Sequence, residues 1–281
     1  MYYKKNIYLL VFMSLVLFSC ETNTSGENGM VEENYSSSKK GIAYTNKNPN
    51  WPTKAKELGA SWIYSWGHEI HEDLPDEIEF VPMFWGKNSV NDEVIAKLKE
   101  YKKENRIQYI LGFNEPDGNK QANMSVEEVI ELWPKLESVG LPLGSPAAIH
   151  ADREWMQNFM HKADSLNLRV DFVTVHHYGG ANVEAFVEKL KNIHEMYNRP
   201  LWITELGVGD WKAKTIEDNR HSPEKVANFI EELLPVLDTL DFVHRYAWFD
   251  GGNNFPALVT SKLFDEELNL TEPGRKYAEF K

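Results

Sequence analysis

The chain has 281 residues, of which 42% are hydrophobic and 26% are charged, so it is long enough for one large globular domain. Its formal net charge of −13 at pH 7 repels phosphate backbones and argues against nucleic acid as a partner. The only cysteine, Cys20, lies near the N-terminus, which excludes internal disulfides, a cysteine nucleophile and thiolate metal sites from the main body of the chain.

The first twenty residues have the pattern of a secretory signal. Lys4 and Lys5 precede an apolar run over residues 7–18, which is shorter than the roughly 20 residues of a membrane-spanning helix. The run ends in Leu-Phe-Ser-Cys at Cys20, which resembles the lipobox of bacterial lipoproteins, whose cysteine is lipidated. An ordinary signal peptide cut near Cys20 is the alternative interpretation.

We therefore predict three regions. Residues 1–20 form a lipoprotein signal peptide that ends at Cys20, and residues 21–39, rich in Ser, Asn, Glu and Gly, form a flexible tether. Residues 40–281 form the folded domain. This organisation predicts an extracytoplasmic protein that is lipid-anchored to the bacterial cell envelope at the outer membrane, on its periplasmic or cell-surface side.

Predicted strands and helices alternate along the folded domain. Eight apolar segments rich in β-branched and aromatic residues predict strands, over residues 41–45, 61–66, 79–85, 109–114, 143–147, 172–178, 201–206 and 243–249. Apolar residues at three- and four-residue spacing predict helices over residues 93–104, 125–137, 152–166, 183–197, 222–237 and 272–280.

This alternation predicts an α/β fold with a parallel sheet, and eight strands are enough to close a single (β/α)8 TIM barrel. The rival fold, a doubly wound open sheet, would need a glycine-rich turn after the first strand. Residues 44–50 contain no glycine, so the sequence favours the barrel.

Two predicted strands have a glutamate close to their C-terminal end. Glu115 follows residues 109–114, and Glu205 lies near the end of residues 201–206. Active sites of such barrels lie at the C-terminal ends of the strands, where burying an unpaired carboxylate is costly. Either glutamate alone fits a helix cap or a surface charge. Together they fit glycoside hydrolysis, which requires one protonated and one ionised carboxyl group on either side of the cleaved bond.

Longer motifs carry a family resemblance. Asn-Glu-Pro at residues 114–116 and Thr-Glu-Leu-Gly at residues 204–207 resemble the clan A glycosidases, which are retaining enzymes on (β/α)8 barrels. The fuller set of motifs resembles glycoside hydrolase family 128, a family of β-1,3-glucanases, and comprises residues 61–66, 81–86, 111–117, 121–125, 143–147, 171–176 and 245–249. The likeness spans residues 41–281. It implies an endo-β-1,3-glucanase that cleaves laminarin- or curdlan-type glucans by double displacement, without a cofactor.

The resemblance also implies roles for individual residues. Glu115 matches the acid/base of the family and Glu205 its nucleophile. Asn114 matches the residue that hydrogen-bonds the sugar 2-hydroxyl, while His176 and Tyr178 match residues of the sixth strand near the nucleophile.

Three tryptophans are candidates for substrate binding. Trp248 matches the aromatic platform under the cleaved sugar. Trp66 and Trp85 end two other predicted strands and are candidates for further subsite walls, with core packing as the alternative. The sequence departs from the family at His177, where a tryptophan is usual, which leaves the preferred glucan length and branching open.

Other chemistry finds little support. His68 and His71 lack the spacing of a His-Glu-x-x-His motif, and no third ligand is evident, so no metal site is predicted. No Gly-x-Ser-x-Gly elbow is present, which argues against a serine hydrolase. Two alternative functions stay open: a non-catalytic barrel that binds glycan at the cell surface, and a hydrolase of a β-1,4- or mixed-linkage glycan. The expected partners are a β-glucan and, through the anchor, a membrane; the protein itself is expected to be a monomer.

Overall fold

A computed structural model describes residues 39–45, 50–250 and 255–281. The predicted signal peptide, Cys20 and residues 21–38 of the predicted tether lie outside the described residues. Within the part of the chain that is described, no helix has both the length and the apolar character needed to cross a bilayer.

Parallel strands and helices build the described fold. A six-stranded parallel sheet has the order β3-β2-β1-β6-β5-β4, and its strands are β1 (Lys40–Ala43), β2 (Trp62–Tyr64), β3 (Glu79–Phe80), β4 (Val173–His177), β5 (Leu201–Leu206) and β6 (Val243–Phe249). The α-helices are α1 (Trp51–Glu57), α2 (Asp92–Lys103), α3 (Val126–Glu137), α4 (Glu154–Ser165), α5 (Val183–Tyr197), α6 (Pro223–Thr239) and α7 (Glu272–Glu279). Short 3-10 helices span Lys87–Ser89 and Val259–Ser261.

Two predicted strands, residues 109–114 and 143–147, form isolated parallel bridges and not regular strands. These bridges pair Met83 with Leu111, Ile110 with Leu143, Asn114 with Ala147 and Gly144 with Phe172. They connect the two edges of the sheet, β3 and β4, through a continuous series of parallel pairs. This arrangement is consistent with the predicted (β/α)8 barrel.

Sequence signals place several helix starts correctly. Ser125 caps α3 in a capping box with Glu128, and Ser222 caps α6, in which Pro223 is the first helical residue. Helix α1 was not predicted, because its seven residues are too few to show helical periodicity.

Alternation along the strands separates two apolar layers. Side chains on one face of the sheet pack against the helices in an outer core that includes Ile203, Tyr246 and Trp248. Side chains on the other face form an inner cluster of Ala43, Trp62, Tyr64, Val81, Met83, Leu111, Phe172, Trp202 and Ala247. An ion pair between Arg245 and Glu79 (2.6 Å), with the guanidinium over the Trp202 ring, lies beside the inner cluster near the amino ends of the strands. The carboxyl ends of the strands, at the opposite end of the inner cluster, surround the cleft described below.

Two lysines fasten the start of β1 to the last helices. Lys39 Nζ donates to the carbonyl oxygens of Leu237, Asp238 and Leu240 at the end of α6, over 2.9–3.2 Å. Lys40 Nζ donates to Tyr277 O (2.8 Å) and Phe280 O at the end of α7. Burial lowers the pKa of Lys40 to about 8. The first strand and the last two helices of the folded domain are therefore joined at the amino ends of the strands.

Candidate active site

A cleft of about 1090 Å³ opens at the carboxyl ends of the strands. Its lining includes three carboxyl groups together with aromatic, amide and imidazole side chains. Among these residues are Trp66, Trp85, Asn114, Glu115, His176, His177, Tyr178, Glu205, Trp211, Phe249, Asp250 and Phe255. The cleft is therefore mostly apolar and carries a few polar groups at its base, as small-molecule sites usually do.

An irregularity in β5 turns Glu205 toward the cleft. Ile203 pairs with Tyr246 and Leu206 with Trp248, so three steps along β5 match two steps along β6. The extra residue is a β-bulge, a feature that re-aims side chains beside active sites. Because of it, Trp202 and Glu205 share the inner face although they are three residues apart.

Three side chains donate hydrogen bonds to the Glu205 carboxylate. The Tyr64 hydroxyl (3.0 Å) and Trp66 Nε1 (2.7 Å) donate to Oε1, and the Tyr178 hydroxyl donates to Oε2. Burial and the nearby charge of Glu205 raise the pKa of both tyrosines well above the usual value, so they stay protonated donors. Glu205 itself is 5% exposed. Its surroundings fit an ionised carboxylate, which can only accept.

Glu115 is held in a strained backbone conformation. Its φ of 39° lies in the left-handed region, which costs an L-residue roughly 1–2 kcal/mol. Its N–H donates to Ala147 O (2.8 Å), and Gly118 N donates to Glu115 O (2.9 Å). Trp66 also has a positive φ, of 56°. Such strain concentrates at functional sites, where the surrounding structure fixes it.

His176 joins the two glutamates. Its Nδ1 lies 3.0 Å from Glu115 Oε1 and 3.4 Å from Glu205 Oε2. Burial alone would lower the pKa of His176, but the charge of Glu205 and the hydrogen bond to Glu115 outweigh it and raise this pKa. One oxygen of each glutamate and a ring nitrogen of His176 all lie within 4.8 Å of one another.

Those three residues also offer metal-ligand atoms at close range. Both Glu205 oxygens, however, already accept hydrogen bonds from neutral donors, and His176 Nδ1 is shared between the carboxylates. This donor set favours a hydrogen-bonded carboxylate pair over a metal centre.

Asn114 offers an unused polar atom to the cleft. Its side chain is buried, its Nδ2 donates to Gln121 Oε1 (3.4 Å), and its Oδ1 has no hydrogen-bond partner among the described residues. Buried polar atoms are normally paired, so a hydroxyl of a bound ligand would complete this site.

Comparison with known proteins decides the family. A family model described as "glycosyl hydrolase catalytic core" matches residues 41–277. A subgroup I endo-β-1,3-glucanase of glycoside hydrolase family 128 from Amycolatopsis mediterranei, solved with laminaritriose, is 31% identical, with a TM-score of 0.77 over 87% of this chain and 100% of that one. The chain belongs to glycoside hydrolase family 128.

Further solved members of family 128 share the fold. A subgroup II endo-β-1,3-glucanase from Pseudomonas viridiflava is 28% identical, with a TM-score of 0.69 over 87% of this chain and 98% of that one. A subgroup VII oligosaccharide-binding protein from Trichoderma gamsii is 22% identical, with a TM-score of 0.66 over 85% and 92%, and this likeness concerns the fold alone. A search among curated proteins gave no match.

Most of the site residues predicted in this family 128 chain meet in the cleft. Seven of them line it: Glu115, Glu205, Asn114, His176, Tyr178, Trp66 and Trp85. Trp85 is 39% exposed at the rim, so core packing does not explain it.

Trp248 is the exception, and the prediction that it lies beneath the cleaved sugar is wrong. Its side chain is 0% exposed in the outer core, where Nε1 donates to Ser261 O (2.8 Å) and the ring lies 6.0 Å from that of Tyr277. The physical reason is strand alternation, because Ala247 and Phe249 face inward and Trp248 therefore faces the helices. Phe249 takes the cleft position.

Sequence reasoning missed three aromatic residues of the cleft. Phe249 lies edge-on to Trp66 (5.6 Å) and Tyr178 (5.3 Å), and Trp211 and Phe255 line the rim. Alternation along β6 was a signal for Phe249. Trp211 and Phe255 lie outside strands and helices, where the sequence has no periodicity to show which way a side chain points.

His177, the family departure, also lines the cleft. Its ring stacks on Phe186 with centroids 3.9 Å apart, and burial, helped by the charge of Lys189, lowers its pKa to about 3. The imidazole is therefore neutral at the pH values at which most enzymes work. His177 therefore gives the cleft a small, polar and uncharged ring.

Tyr178→Phe is expected to lower kcat roughly 10- to 100-fold, because hydrogen bonds to charged groups contribute about 1.5–3 kcal/mol. The matched control is Tyr197→Phe, which removes a buried hydroxyl that donates to Ala151 O (2.6 Å) outside the cleft. Steady-state kinetics and thermal unfolding should be measured for both variants. If the two variants lose the same activity, the hydroxyl of Tyr178 has no special role.

Proposed function

We propose that this family 128 protein is a retaining endo-β-1,3-glucanase in which Glu205 is the nucleophile and Glu115 the acid/base. The observation that carries the proposal is the close approach of the two carboxyl groups, because an oxygen of Glu115 lies within 4.8 Å of an oxygen of Glu205. Retaining glycosidases place these groups roughly 5–5.5 Å apart, whereas inverting enzymes need roughly 6.5–9.5 Å to admit a water. The short separation therefore supports double displacement.

Each glutamate has the environment that its role requires. Glu205, held by three donors, attacks the anomeric carbon and forms a glycosyl ester. Glu115, which is less buried, first gives a proton to the leaving oxygen and then takes one from the incoming water. His176 contacts both carboxyl groups and stays between them as the charge on Glu205 is consumed and restored.

The relatives support a β-1,3-linked glucan as the substrate. The Amycolatopsis mediterranei enzyme is described as an endo-β-1,3-glucanase and was solved with laminaritriose. The cleft volume of about 1090 Å³ lies at the upper end of the roughly 300–1,000 Å³ of small-molecule pockets, which supports binding of more than one sugar residue. The fold that holds this cleft is inferred to be a closed (β/α)8 barrel, supported by the parallel bridges between the sheet edges.

A hydrolysis panel tests the proposal. Linear and branched β-1,3-, β-1,4- and mixed-linkage glucans are incubated with the protein, and product lengths are followed over time. We expect early release of mixed oligosaccharides from laminarin and curdlan. Preferential cleavage of β-1,4 bonds would change the substrate, and binding of laminari-oligosaccharides without any product would favour the alternative of a surface glycan-binding protein.

The N-terminal sequence supports a location outside the cytoplasm, with Cys20 lipidated and the domain tethered to the cell envelope. Cys20→Ala is expected to move the protein from the membrane and detergent fractions to the soluble fraction, while its activity on soluble laminarin is unchanged. Ser25→Ala, in the predicted tether and outside the lipobox, is the control. Unchanged membrane partitioning of Cys20→Ala would refute the anchor.

A further inference from the structure

Two exposed aromatic rings meet at the rim of the cleft. Trp211, on the loop of residues 207–222 between β5 and α6, is 60% exposed, and Phe255 is 50% exposed. Both line the cleft, and their ring centroids lie 5.8 Å apart at an interplanar angle of 64°. We call this pair the rim platform.

Hydrogen bonds hold the rim platform in place. Trp211 Nε1 donates to Tyr178 O (2.8 Å), so the indole rests on the residue whose hydroxyl contacts the nucleophile. Asp210 N and Asn219 Nδ2 both donate to Ala257 O, at 2.9 and 3.1 Å, two residues from the second ring of the platform. These hydrogen bonds fix the indole, and the backbone close to Phe255, in place beside Tyr178.

An ion pair closes the loop that carries Trp211. The Asp210 carboxylate, 1% exposed, accepts from Arg220 Nε (2.7 Å) and Nη2 (2.8 Å), and from the backbone N–H groups of Arg220 and Lys212. The hydrogen bonds from Arg220 hold the pKa of Asp210 well below its usual range. Such bidentate pairs fix geometry as well as charge. Because Asp210 precedes Trp211, the pair fixes the backbone on which the indole is mounted.

The position of the rim platform suits a second part of a long substrate. It lines the same cleft as Glu115 and Glu205, so a chain that is bound at the glutamates and long enough to reach the rim would contact it. A β-glucosyl ring presents axial C–H groups on each face and keeps its hydroxyl groups at the edge. Such a face can cover an aromatic ring while the hydroxyls remain in water. The indole N–H is already used, so the platform offers apolar contact.

On the basis of the proposed glucanase function, we propose that the rim platform binds a glucosyl residue away from the cleaved bond. Asp210 and Arg220 are then positioning residues, which act on substrate only through Trp211. The consequence is a preference for long chains, since a short oligosaccharide that fills the base of the cleft does not reach the rim.

The first test is the chain-length dependence of Trp211→Ala. For the longest laminari-oligosaccharide, we expect KM to rise and kcat/KM to fall roughly tenfold. For the shortest substrate that is cleaved, kcat/KM should stay near the wild-type value. Ile216→Ala is the matched control, because Ile216 is 51% exposed on the same loop and does not line the cleft. If the ratio of kcat/KM for the long substrate to kcat/KM for the short substrate is unchanged in Trp211→Ala, the proposed role of the rim platform is wrong.

The positioning role is tested at Arg220. Arg220→Met should lower the ratio of kcat/KM for long to short substrates, by a smaller factor than Trp211→Ala does. Arg220→Lys should recover part of the lost ratio. Arg106→Met is the control, because the pair of Arg106 with Glu104 lies on the surface. If Arg220→Met only lowers the unfolding temperature and leaves the ratio unchanged, the ion pair is structural.

A binding measurement separates the two proposals. Glu205→Gln is titrated by calorimetry with laminari- and cello-oligosaccharides, alone and combined with Trp211→Ala. If the wild type cleaves no β-1,3-glucan, the proposed function fails, and the platform is judged on the oligosaccharide that Glu205→Gln binds best. The platform fails if Trp211→Ala leaves that affinity unchanged, or if no oligosaccharide binds.

Discussion

Glu205→Ala is expected to lower kcat on the order of 10⁴-fold or more, because it removes the carboxylate that we propose as the nucleophile. Removal of the Glu205 side chain leaves a space beside the hydrogen-bond donors of Tyr64, Trp66 and Tyr178. A small anion could bind in this space in place of the carboxylate. Added azide should therefore restore cleavage of an activated β-glycoside and enter from the face opposite the leaving group. The expected product is the α-glycosyl azide, identified by NMR.

Glu115→Ala is expected to give the opposite product. Loss of the proposed general acid should cost about 10²–10⁴-fold on natural substrates, but an aryl glycoside with a good leaving group needs no proton and should still be cleaved. The glycosyl ester on Glu205 then accumulates, and azide resolves it to the β-glycosyl azide.

Two outcomes would contradict the assignment of the glutamates. An exchange of the two azide products between the variants would reverse the roles of Glu115 and Glu205, and full activity in either would place the chemistry elsewhere. Glu131→Ala, at an exposed glutamate on α3, should behave as wild type.

Trp248→Ala is expected to destabilise the protein by about 3–5 kcal/mol, because it leaves a large cavity and frees Ser261 O from its hydrogen bond. Activity per folded molecule should change little, since the ring does not line the cleft. Phe249→Ala should show the reverse pattern, with a large loss of kcat/KM and a smaller loss of stability. Denaturant unfolding and activity at a temperature where all variants are folded would separate these effects.

A milder pair of variants guards against a failure of Trp248→Ala to fold. Trp248→Phe and Trp133→Phe each remove a buried indole N–H that donates to a backbone carbonyl, Ser261 O (2.8 Å) and Arg169 O (2.9 Å) respectively. Both are expected to lose a similar, small amount of stability. A specific loss of turnover in Trp248→Phe would return this residue to the site.

The elements that the sequence predicts best are those in which local pattern and tertiary packing agree. Strands β5 and β6 have the predicted bounds, and α5 does as well. Residues 109–114 and 143–147 have strand-like composition but only bridge their neighbours. Pro146 has no backbone N–H to donate to a neighbouring strand. A Cβ at Gly112 would lie only 2.8 Å from Ser145 O, so the backbones of residues 109–114 and 143–147 approach each other closely at this point.

The candidate site follows the same logic. Glu115 and Glu205 could be found because each ends an apolar run, but the orientation of a residue within a strand depends on its register. One bulge turns Glu205 inward, and simple alternation turns Trp248 outward. Neither the bulge nor the fold of loop 207–222 has a local sequence pattern, since both depend on contacts with residues far along the chain.

The fastening of β1 by Lys39 and Lys40 has a mechanical consequence. A pull on the chain from upstream of Lys39 acts along β1, which is paired on both sides with β2 and β6, so its hydrogen bonds are loaded together in shear. The two lysines pass part of that load directly to the ends of α6 and α7. The cleft opens at the opposite ends of the strands, so tension applied at the start of β1 would leave the geometry of the cleft largely unstrained.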